Sequence, residues 1–323
     1  MTVFRFGYVA MSVHVKNASP SKTMTYTQFS KLFDREAAVR KLERIAQTNL
    51  RNCLRLLRHN IAHNITFFRL SSKLIPLANH PDLLDWNYMK PLRPSLLELK
   101  EFIEAYPDLR IDFHPDHFVL LNTKDKDTFS VSLKTLQMHY MLLKEMGIDA
   151  EHRCVLHVGG SYQDKEQALE QFIHNWALVP QHLQKMIMLE NDDTTFTWGD
   201  TLYLCEKLGI PLVFDYHHHL ANQAVDDDFH ENWRRNIATW QQSELPLKMH
   251  ISSPKSEKDF RAHANVIDLE MFWEFADAVR GSVAQIDVMI EAKLKDEALF
   301  QLMKNIRTSK KVKWVNEACF ELI

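Results

Sequence analysis

The chain has 323 residues, of which 46% are apolar and 25% charged, so it can supply a large buried core. Its formal net charge of −3 is not that of a basic nucleic-acid-binding domain, although bound divalent cations would reverse the sign locally. No apolar run approaches the roughly 20 residues of a membrane span, and the four cysteines show no paired spacing. We therefore expect a soluble, cytoplasmic protein with reduced thiols, nucleoid-associated if it is prokaryotic.

Strand and helix patterns alternate along the chain. Apolar, β-branched and aromatic runs predict eight strands, each followed by a segment of helical periodicity. The strands are expected at 4–8, 65–70, 110–114, 154–158, 186–189, 211–214, 247–251 and 286–290. Helices are expected at 35–60, from Pro94 onward, from a Ser132 cap to Gly147, at 167–182, from a capping box at Thr197 to Gly209, and at 229–242, 269–279 and 295–306.

This alternation indicates a parallel sheet, and eight strands close most economically into a barrel. The predicted fold class is α/β, a single (β/α)8 TIM barrel formed by residues 1–323 as one domain. The unpatterned stretch 9–28 lies near a strand end and so could approach a ligand. A basic stretch at 304–313 is interpreted as a solvated face, with contact to an acidic partner as the alternative.

Residues that can bind a metal ion follow most of the predicted strands. They occur in Asp112-Phe113-His114, Val155-Leu156-His157, Met188-Leu189-Glu190, Phe214-Asp215-Tyr216-His217-His218-His219, Lys248-Met249-His250 and Ile290-Glu291. Because a parallel barrel brings the carboxyl ends of its strands to one face, we expect these side chains to meet there. Any one of these histidines alone is more often an ordinary hydrogen-bonded residue. Six such strand ends out of eight nevertheless predict a metal-centred active site, and the mixture of histidine and carboxylate favours manganese, zinc or iron over calcium.

The carboxylates strengthen this prediction. Glu190, Asp215 and Glu291 follow strands that need burial on both faces, where an ionised carboxylate requires a compensating cation. Carboxylates at adjacent strand ends can also bridge two ions about 3.5–4 Å apart, which is the separation used in phosphoryl displacement.

Two lysines are spaced so that they face the predicted site. Lys248 lies two residues before His250, so both side chains point the same way along a strand. An ammonium beside dications needs a lowered pKa, an acidic partner or carboxylation of its amine. The alternative is a lysine that reaches solvent below the barrel. Lys293 has the same relation to Glu291 and could contact a phosphate.

At these residues the sequence resembles the UV damage endonucleases, a branch of the barrel superfamily that includes endonuclease IV and xylose isomerase. The matching segments are Phe6-Gly7-Tyr8, Phe68-Arg69-Leu70-Ser71-Ser72, Leu74-Ile75-Pro76, Phe113-His114-Pro115, Leu156-His157-Val158-Gly159-Gly160, Leu189-Glu190-Asn191-Asp192, Phe214-Asp215-Tyr216-His217-His218, Lys248-Met249-His250, Ala262-His263-Ala264 and Ile290-Glu291-Ala292-Lys293. Each segment is weak alone, but the ordered set covers nearly the whole chain and is specific.

The resemblance implies an endonuclease that cuts damaged double-stranded DNA immediately 5′ to a lesion. The lesions would be cyclobutane pyrimidine dimers, 6-4 photoproducts and abasic sites, and the cut would leave 3′-hydroxyl and 5′-phosphate ends. It further implies three divalent ions, most simply Mn²⁺, with Mg²⁺, Zn²⁺ or Co²⁺ as alternatives. We expect no obligate protein partner and a monomer.

The resemblance also assigns the ligands. His114 and His157 would hold one ion, and Glu190 would bridge to a second ion completed by three further residues. Those three are Asp215, His250 and Glu291; His218 and His263 would serve the third ion, and Lys248 matches a lysine that can be carboxylated.

At one position spacing and resemblance disagree. Strand alternation would place Asp215 and His217 on one face, whereas the resemblance selects His218. Because the strand ends there, we follow the resemblance and expect His217 and His219 to be core or supporting groups. His263 lies well beyond its strand, and only the resemblance assigns it.

The resemblance implies two side chains that probe the duplex while the lesion is turned outward, at a stacking cost that damage lowers. Tyr8 matches the first, because an aromatic ring stacks on any base and so reads deformability rather than sequence. The alternative for Tyr8 is a packing residue at the barrel rim. His117 stands where the family carries glutamine, and imidazole lacks the paired donor and acceptor of an amide, so lesion preference stays open.

Two other functions fit a barrel with such a site. The first is a metal-dependent sugar isomerase, which would have a pocket closed around a small polyol. The second is a metal-dependent DNA-binding protein without catalytic activity, which would bind damaged duplex and never cut it. Fold analogy does not separate these alternatives.

Overall fold

The structure, a computed structural model, describes residues 1–225 and 227–323. In chain order the described strands are β1 (Thr2–Val9), β2 (Phe67–Arg69), β3 (Arg110–Asp112), β4 (Cys154–His157), β5 (Ile187–Glu190), β6 (Leu212–Asp215), β7 (Leu247–Ile251), β8 (Pro254–Ser256), β9 (Asp259–His263), β10 (Gln285–Ile290), β11 (Val312–Asn316) and β12 (Cys319–Leu322). The α-helices are α1 (Tyr26–Ser30), α2 (Arg35–Ala62), α3 (Met89–Glu104), α4 (Lys126–Glu145), α5 (Lys165–Trp176), α6 (Gln181–Gln184), α7 (Trp198–Leu208), α8 (Tyr216–Ala221), α9 (Phe229–Thr239), α10 (Leu269–Ala278) and α11 (Lys295–Ile306).

Eight of the strands form a parallel barrel. The pairing runs β3–β2–β1–β10–β7–β6–β5–β4, and a bridge between Phe113 and Cys154 joins β3 to β4. Gly7 allows β1 and β2 to approach, because a Cβ atom there would lie 2.1 Å from the carbonyl oxygen of Phe67. The predicted α/β fold, a (β/α)8 barrel, is confirmed. None of the described helices is long and apolar enough to cross a membrane.

Three of the helix predictions are wrong. The fourth helix starts at Lys126 with Asp125 as its cap, whose carboxylate accepts from the Thr128 N–H at 2.7 Å, whereas Ser132 lies inside the helix. The helix expected at 167–182 is divided into α5 and α6. Pro180 stands at the cap of α6, where its missing N–H is tolerated. Pro94 likewise lies within α3 and not at its start.

Two hairpins lie outside the predicted strands. The β8–β9 hairpin follows β7, and the β11–β12 hairpin follows α11, with β12 pairing antiparallel to the first residues of β1. The basic stretch 304–313 leads into the second hairpin. Its Lys311 ammonium lies 2.6 Å from Asp277, and its Arg307 guanidinium lies 5.1 Å from the centre of the Trp314 ring. The stretch thus makes ion pairs and cation–π contacts within the chain.

Candidate metal centre

Glu190, the last residue of β5, lies at the centre of the predicted site. Its side chain is 1% exposed, with Oε2 2.8 Å from His114 Nε2 and Oε1 2.8 Å from His250 Nδ1. His157 Nε2 lies 3.8 Å from Oε2, and His218 Nδ1 lies 3.6 Å from Oε1. Burial opposes ionisation of Glu190, but His250 and His157 outweigh it and hold the pKa of this carboxyl well below its ordinary value. One carboxylate therefore contacts four histidines from different parts of the barrel.

Two more buried carboxylates lie beside Glu190. Asp215 ends β6 and caps α8, with its Oδ1 accepting from the His218 N–H at 2.7 Å, while its Oδ2 is buried without a hydrogen-bond partner in the described part of the chain. Glu291 Oε1 lies 3.2 Å from His250 Nδ1 and pairs with Arg69. Burial again opposes ionisation, and Arg69 and His250 outweigh it and lower the pKa of Glu291. Three carboxylates thus meet at the mouth, and Glu291 is the one that pairs with an arginine.

Backbone carbonyl groups orient three of the histidines. Nδ1 of His114 donates to Pro115 O at 3.0 Å, that of His218 to Asn191 O at 3.0 Å, and that of His263 to Glu291 O at 2.9 Å. In the neutral ring each contact places the proton on Nδ1 and the lone pair on Nε2, an arrangement that is usual for metal-binding histidines.

This donor set fits divalent ions. Burial lowers the pKa of His114 to about 4, so near pH 7 its Nε2 lone pair faces the Glu190 oxygen at 2.8 Å, which is favourable only with a cation beside both. For His218, burial opposes protonation, but Asp215, Glu190 and Glu291 outweigh it and raise the pKa to about 9. The His218 ring is therefore protonated near pH 7, and its positive charge lies beside these carboxylates.

Among the described residues, two groups of ligand atoms lie close enough to hold an ion. One consists of His114, His157 and Glu190, and the other of Glu190, Asp215 and His250; within each, the atoms lie within 4.8 Å of one another. Both groups contain Glu190. Three buried atoms at this mouth, Asp215 Oδ2, His250 Nε2 and His157 Nδ1, have no hydrogen-bond partner among the described residues, and as lone-pair donors they fit a cation.

His218 and His263 lie beside these two groups, with ring centres 6.3 Å apart. With His157 they line a cavity of about 480 Å³ at the barrel mouth. Other side chains on its wall are His117, Tyr162 and Arg261. The structure thus brings all eight predicted ligands to one mouth. Six of them are in direct contact with one another: Glu190, Glu291 and the four histidines His114, His157, His218 and His250.

His217 and His219 have other contacts. His217 Nδ1 accepts from Ser252 Oγ at 2.6 Å and its Nε2 donates to Phe260 O at 2.7 Å, so neither nitrogen is free. His219 packs against the aromatic rings of Trp198 and Phe214. The reason is local: the chain becomes helical at Tyr216, and in a helix it is the residue three positions after Asp215, not two, that returns to the same side.

Lys248 lies one layer below the mouth. It is fully buried, and its Nζ lies 3.1 Å from Asp112 Oδ2, so the alternative of a lysine that reaches solvent is wrong. Burial lowers the pKa of Lys248 despite this acidic partner. Of the three ways to accommodate the amine, the structure thus contains two, a lowered pKa and a counterion.

Sequence analysis missed the ionic network around Lys248. Arg110 lies 3.1 Å from Asp112 and 2.9 Å from Asp287, and Asp287 also accepts from Arg5 at 2.8 Å. Arg153 lies 3.6 Å from Asp112. A signal was present: Asp112 stands two residues before His114, as Lys248 stands two before His250.

The predicted DNA-contacting residues differ in their exposure to solvent. His117 and Lys293 are exposed, and His117 lines the mouth cavity. Tyr8 is fully buried, with its hydroxyl donating to Asn60 at 2.5 Å and its ring 5.0 Å from that of Phe68. It shares the outward face of β1 with Phe4, so in this structure Tyr8 packs under α2, as the packing alternative expected, and does not face the mouth.

Arg69 is a site residue for which the sequence suggested no role. It ends β2, is 13% exposed at its side chain, and pairs with the predicted ligand Glu291. Lys295 is also close: it is largely buried, has φ of 53°, and Glu291 acts to raise its pKa against the larger effect of burial, which lowers it. Two cations therefore border the carboxylates on the β1–β2 side of the mouth.

Comparison with known proteins places the chain in context. Residues 4–321 match the family model described as UV-endonuclease UvdE. The UV DNA damage endonuclease of Halalkalibacterium halodurans is 52% identical over 318 residues, covering 98% of both chains, and that of Bacillus cereus strain B4264 is 39% identical over 319 residues, covering 99% of both.

Solved structures agree with this. The crystal structure of SacUVDE superposes with a TM-score of 0.81 at 30% identity, over 94% of this chain and 98% of that one. The 3-keto-D-glucoside 4-epimerase YcjR from E. coli has a TM-score of 0.58 at 12% identity, over 95% of this chain and 100% of that one. The second likeness shows a shared barrel fold only.

Proposed function

We propose that this chain, which belongs to the UV-endonuclease UvdE family of UV-damage DNA repair endonucleases, nicks duplex DNA immediately 5′ to the lesion. The proposed lesions are cyclobutane dimers, 6-4 photoproducts and abasic sites, and the proposed products carry 3′-hydroxyl and 5′-phosphate ends. The observation that supports metal-assisted hydrolysis is Glu190, whose two oxygens face separate histidine groups at the barrel mouth.

The proposed cofactor is a cluster of three divalent ions, most simply Mn²⁺. His114, His157 and Glu190 would hold one, and Glu190, Asp215, His250 and Glu291 another, with His218 and His263 serving a third. Bound there, the ions would activate water and neutralise charge at the scissile phosphate.

The chain's own residues would orient the ligands and the substrate. The carbonyl groups of Pro115, Asn191 and Glu291 accept from histidine Nδ1 and so fix the orientation of the three rings. Arg69 pairs with Glu291 without metal; once a cation neutralises that carboxylate, the guanidinium can turn to a phosphate oxygen, which it matches as a two-pronged donor. Lys293 is proposed as a further phosphate contact.

The carboxylation of Lys248 is also a proposal. A lowered pKa supports it, because a neutral amine is the form that attacks carbon dioxide, releasing a proton as the carbamate forms. The ion pair with Asp112 is the competing state. A monomer acting in the cytoplasm is proposed on the sequence alone.

Nicking of supercoiled plasmid tests the function. With Mn²⁺ the protein should convert UV-irradiated plasmid to the open circle and leave unirradiated plasmid largely intact, and EDTA should stop it. Glu190→Gln removes the shared charge and should lower the rate by roughly 10³-fold. The matched control is Glu170→Gln on α5, where the side chain only accepts from Tyr203 on the surface. Near-wild-type nicking by Glu190→Gln would overturn the assignment.

The alternative of a sugar isomerase has no support beyond the barrel that the chain shares with the epimerase. A non-catalytic DNA-binding protein would appear in the same experiment as retention of damaged duplex without any nick in Mn²⁺.

A further inference from the structure

Three histidines and two carboxylates form a second cluster of side chains that can bind a metal ion, on the outer wall of the barrel. His14 lies in the loop after β1, His59 and His63 lie at the end of α2, and Asp296 and Glu297 lie in the first turn of α11, which packs on β1. Among the described residues, none of the five makes an ion pair or hydrogen bond with a predicted ligand of the mouth. We call these five residues the outer-wall cluster.

The three imidazole rings of this cluster are spaced like those at the mouth. The ring centres of His59 and His63 lie 4.7 Å apart, and those of His14 and His59 lie 6.4 Å apart. At the mouth, neighbouring rings of the predicted ligands have centres between 5.0 Å and 6.3 Å apart. Two imidazoles on one tetrahedral zinc ion, with zinc–nitrogen bonds of about 2.0–2.1 Å, have ring centres roughly 5 Å apart. The two separations in the outer-wall cluster therefore bracket the value that a shared ion requires.

Helix geometry and one aromatic ring bring these histidines together. His59 and His63 are four residues apart at the end of α2, the spacing that places the two zinc-binding histidines of an H-E-x-x-H helix on one face. The ring of Phe300 on α11 lies 5.0 Å from that of His63, 5.7 Å from that of His14 and 6.5 Å from that of His59, centre to centre. One apolar side chain thus packs against all three imidazoles.

The two carboxylates each bind one nitrogen of a histidine. Asp296 is fully buried and accepts from His59 Nε2 at 3.0 Å, and Glu297 accepts from His14 Nε2 at 2.7 Å. In the neutral rings these contacts place the lone pairs of His14 and His59 on Nδ1. A histidine that donates one ring N–H to a carboxylate and offers its other nitrogen to an ion is the usual arrangement of a metal ligand.

The lone pairs are accessible. Nδ1 of His59 and both nitrogens of His63 have no hydrogen-bond partner in the described part of the chain, and they are not buried atoms, so an ion can reach them from solvent. Burial lowers the pKa of His59, although Asp296 acts to raise it, so its neutral form predominates near pH 7. In the structure the three nitrogens do not converge within the 4.8 Å that limits each group at the mouth. The side chain of His14 is 46% exposed on a loop and His63 caps its helix, so both can rotate to close this gap.

We propose that His14, His59 and His63 bind one transition-metal ion of the Zn²⁺, Ni²⁺ or Cu²⁺ class, with Asp296 and Glu297 orienting the rings and water as the fourth ligand. Imidazole nitrogen suits these metals, whereas Mg²⁺ and Mn²⁺ favour carboxylate oxygen and bind a histidine site more weakly. The outer-wall cluster therefore selects a different class of metal from the mouth, where three carboxylates supply oxygen ligands.

The ion would fasten the loop after β1 to the helices beside it. The loop is already attached to α11 at one point, because Asp296 accepts from Ser12 Oγ and from the Val13 N–H at 2.9 Å. A metal ion on His14 adds a second attachment, to α2. The loop starts at the carboxyl end of β1, next to the mouth, so a bound ion should reduce its local opening.

Counting bound zinc tests the proposal without catalysis. Tag-free protein is dialysed to equilibrium against buffered Zn²⁺ at pH 7.5, and the zinc bound per chain is measured by elemental mass spectrometry. The double variant His14→Gln and His63→Gln removes two ligands and leaves the contact between His59 and Asp296 intact. It should bind one Zn²⁺ fewer than the wild type and the same number of Mn²⁺ ions.

The matched control removes two exposed histidines elsewhere. His174→Gln and His230→Gln, on α5 and α9, should leave the zinc count unchanged. An equal loss in both double variants would show adventitious binding by surface histidines and overturn the proposal, as would an unchanged count in the first. Glu297→Gln should weaken zinc binding at this site by roughly 10-fold, because an orienting carboxylate typically contributes that much to metal affinity.

Hydrogen exchange gives a second, local measurement. Zn²⁺ should slow the exchange of the backbone amides of residues 11–15 in the wild type and in the control variant, and should have no effect on them in His14→Gln with His63→Gln. Exchange in this segment that ignores Zn²⁺ in the wild type would overturn the attachment of the loop by an ion.

Plasmid nicking separates this inference from the proposed function, which it does not require. In Mn²⁺ the variant His14→Gln with His63→Gln should nick irradiated plasmid at the wild-type rate, because neither histidine belongs to the mouth. Loss of nicking in the folded variant would assign these histidines to the mouth and overturn a separate site. One zinc ion lost in the variant, without any nicking by the wild type, would keep the outer-wall site and reject the endonuclease.

Discussion

The interior of the barrel has two layers of charged side chains, and they differ in which groups surround their carboxylates. At the mouth, Glu190 and Asp215 are buried and Glu291 is 13% exposed, and among the described residues Arg69 is the one arginine or lysine paired with these carboxylates. One layer below, the carboxylates of Asp112 and Asp287 are surrounded by the cations of Lys248, Arg110, Arg5 and Arg153.

The difference lies in where the compensating charge comes from. In the lower layer, side chains supply it: burial opposes ionisation of Asp112, but Arg110, Lys248 and Arg153 outweigh it and lower the pKa of this carboxyl to about 2. At the mouth, histidines replace the arginine and lysine side chains of the lower layer as the main contacts of Glu190. One barrel thus holds a lower layer whose carboxylates are paired with arginine and lysine and an upper layer whose carboxylates face mainly histidines.

A substitution in the lower layer should reduce the free energy of unfolding more than one at the mouth. Asp287→Asn removes the carboxylate that Arg5 and Arg110 share and leaves two buried guanidinium groups without it. Breaking such a buried pair costs about 3–5 kcal/mol of unfolding free energy, measured by urea denaturation. Asp277→Asn, which breaks half-exposed pairs with Arg280 and Lys311, is the control and should cost no more than about 1 kcal/mol. Equal losses of unfolding free energy in both variants would contradict the view that ion pairs stabilise the lower layer.

The mouth should depend on metal instead. In EDTA, Asp215→Asn should change the unfolding free energy by less than about 1 kcal/mol, because the amide still accepts from the His218 N–H and one clustered charge is gone. With Mn²⁺ at about 100 times its Kd, the wild type should gain about 2.7 kcal/mol, and each tenfold loss of affinity removes about 1.4 kcal/mol of this. Urea denaturation with and without Mn²⁺ measures both. The same gain in Asp215→Asn as in Glu170→Gln would remove Asp215 from the ligand set.

A third way to bury an ionisable group is to keep it neutral. His139 on α4 is 1% exposed beside Phe113, its Nε2 has no hydrogen-bond partner in the described part of the chain, and burial lowers its pKa to about 4. Because the unfolded chain binds this proton near pH 6.5, stability is full above that pH and falls toward pH 4 by up to about 1.4 kcal/mol per pH unit.

His139→Met should remove that part of the slope. Urea denaturation at pH 7, 6 and 5 compares the variant with the wild type, and the exposed His230→Gln on α9 serves as the control. A slope that is identical in wild type and His139→Met would mean that His139 takes up its proton in the folded state as readily as in the unfolded one.

Strand ends were the part of the site that the sequence could predict. Glu190, His250 and Glu291 follow apolar runs directly, and strand polarity is enough to bring them to one mouth. His218 and His263 lie beyond their strands, where alternation lapses, and a family resemblance was needed to select them. The hairpin that carries His263 has no apolar alternation, because both of its faces are solvated.

Tyr8 shows why the rest could not be predicted. Alternation in β1 places Phe4, Phe6 and Tyr8 on one face and Arg5 and Gly7 on the other, but it does not say which face is inside. An apolar face is the ordinary choice for a barrel interior. Here Arg5 points inward because Asp287 on the paired strand β10 accepts from it, and Tyr8 is therefore turned to α2.

By itself, the sequence determined the barrel, the end at which the site lies and the chemistry of its ligands, since these follow from local periodicity and strand direction. Only the tertiary structure decided which charges meet, such as Arg69 with Glu291 and Lys248 with Asp112. These pairings join residues far apart in the chain, and they depend on strand order and register, which no local pattern encodes.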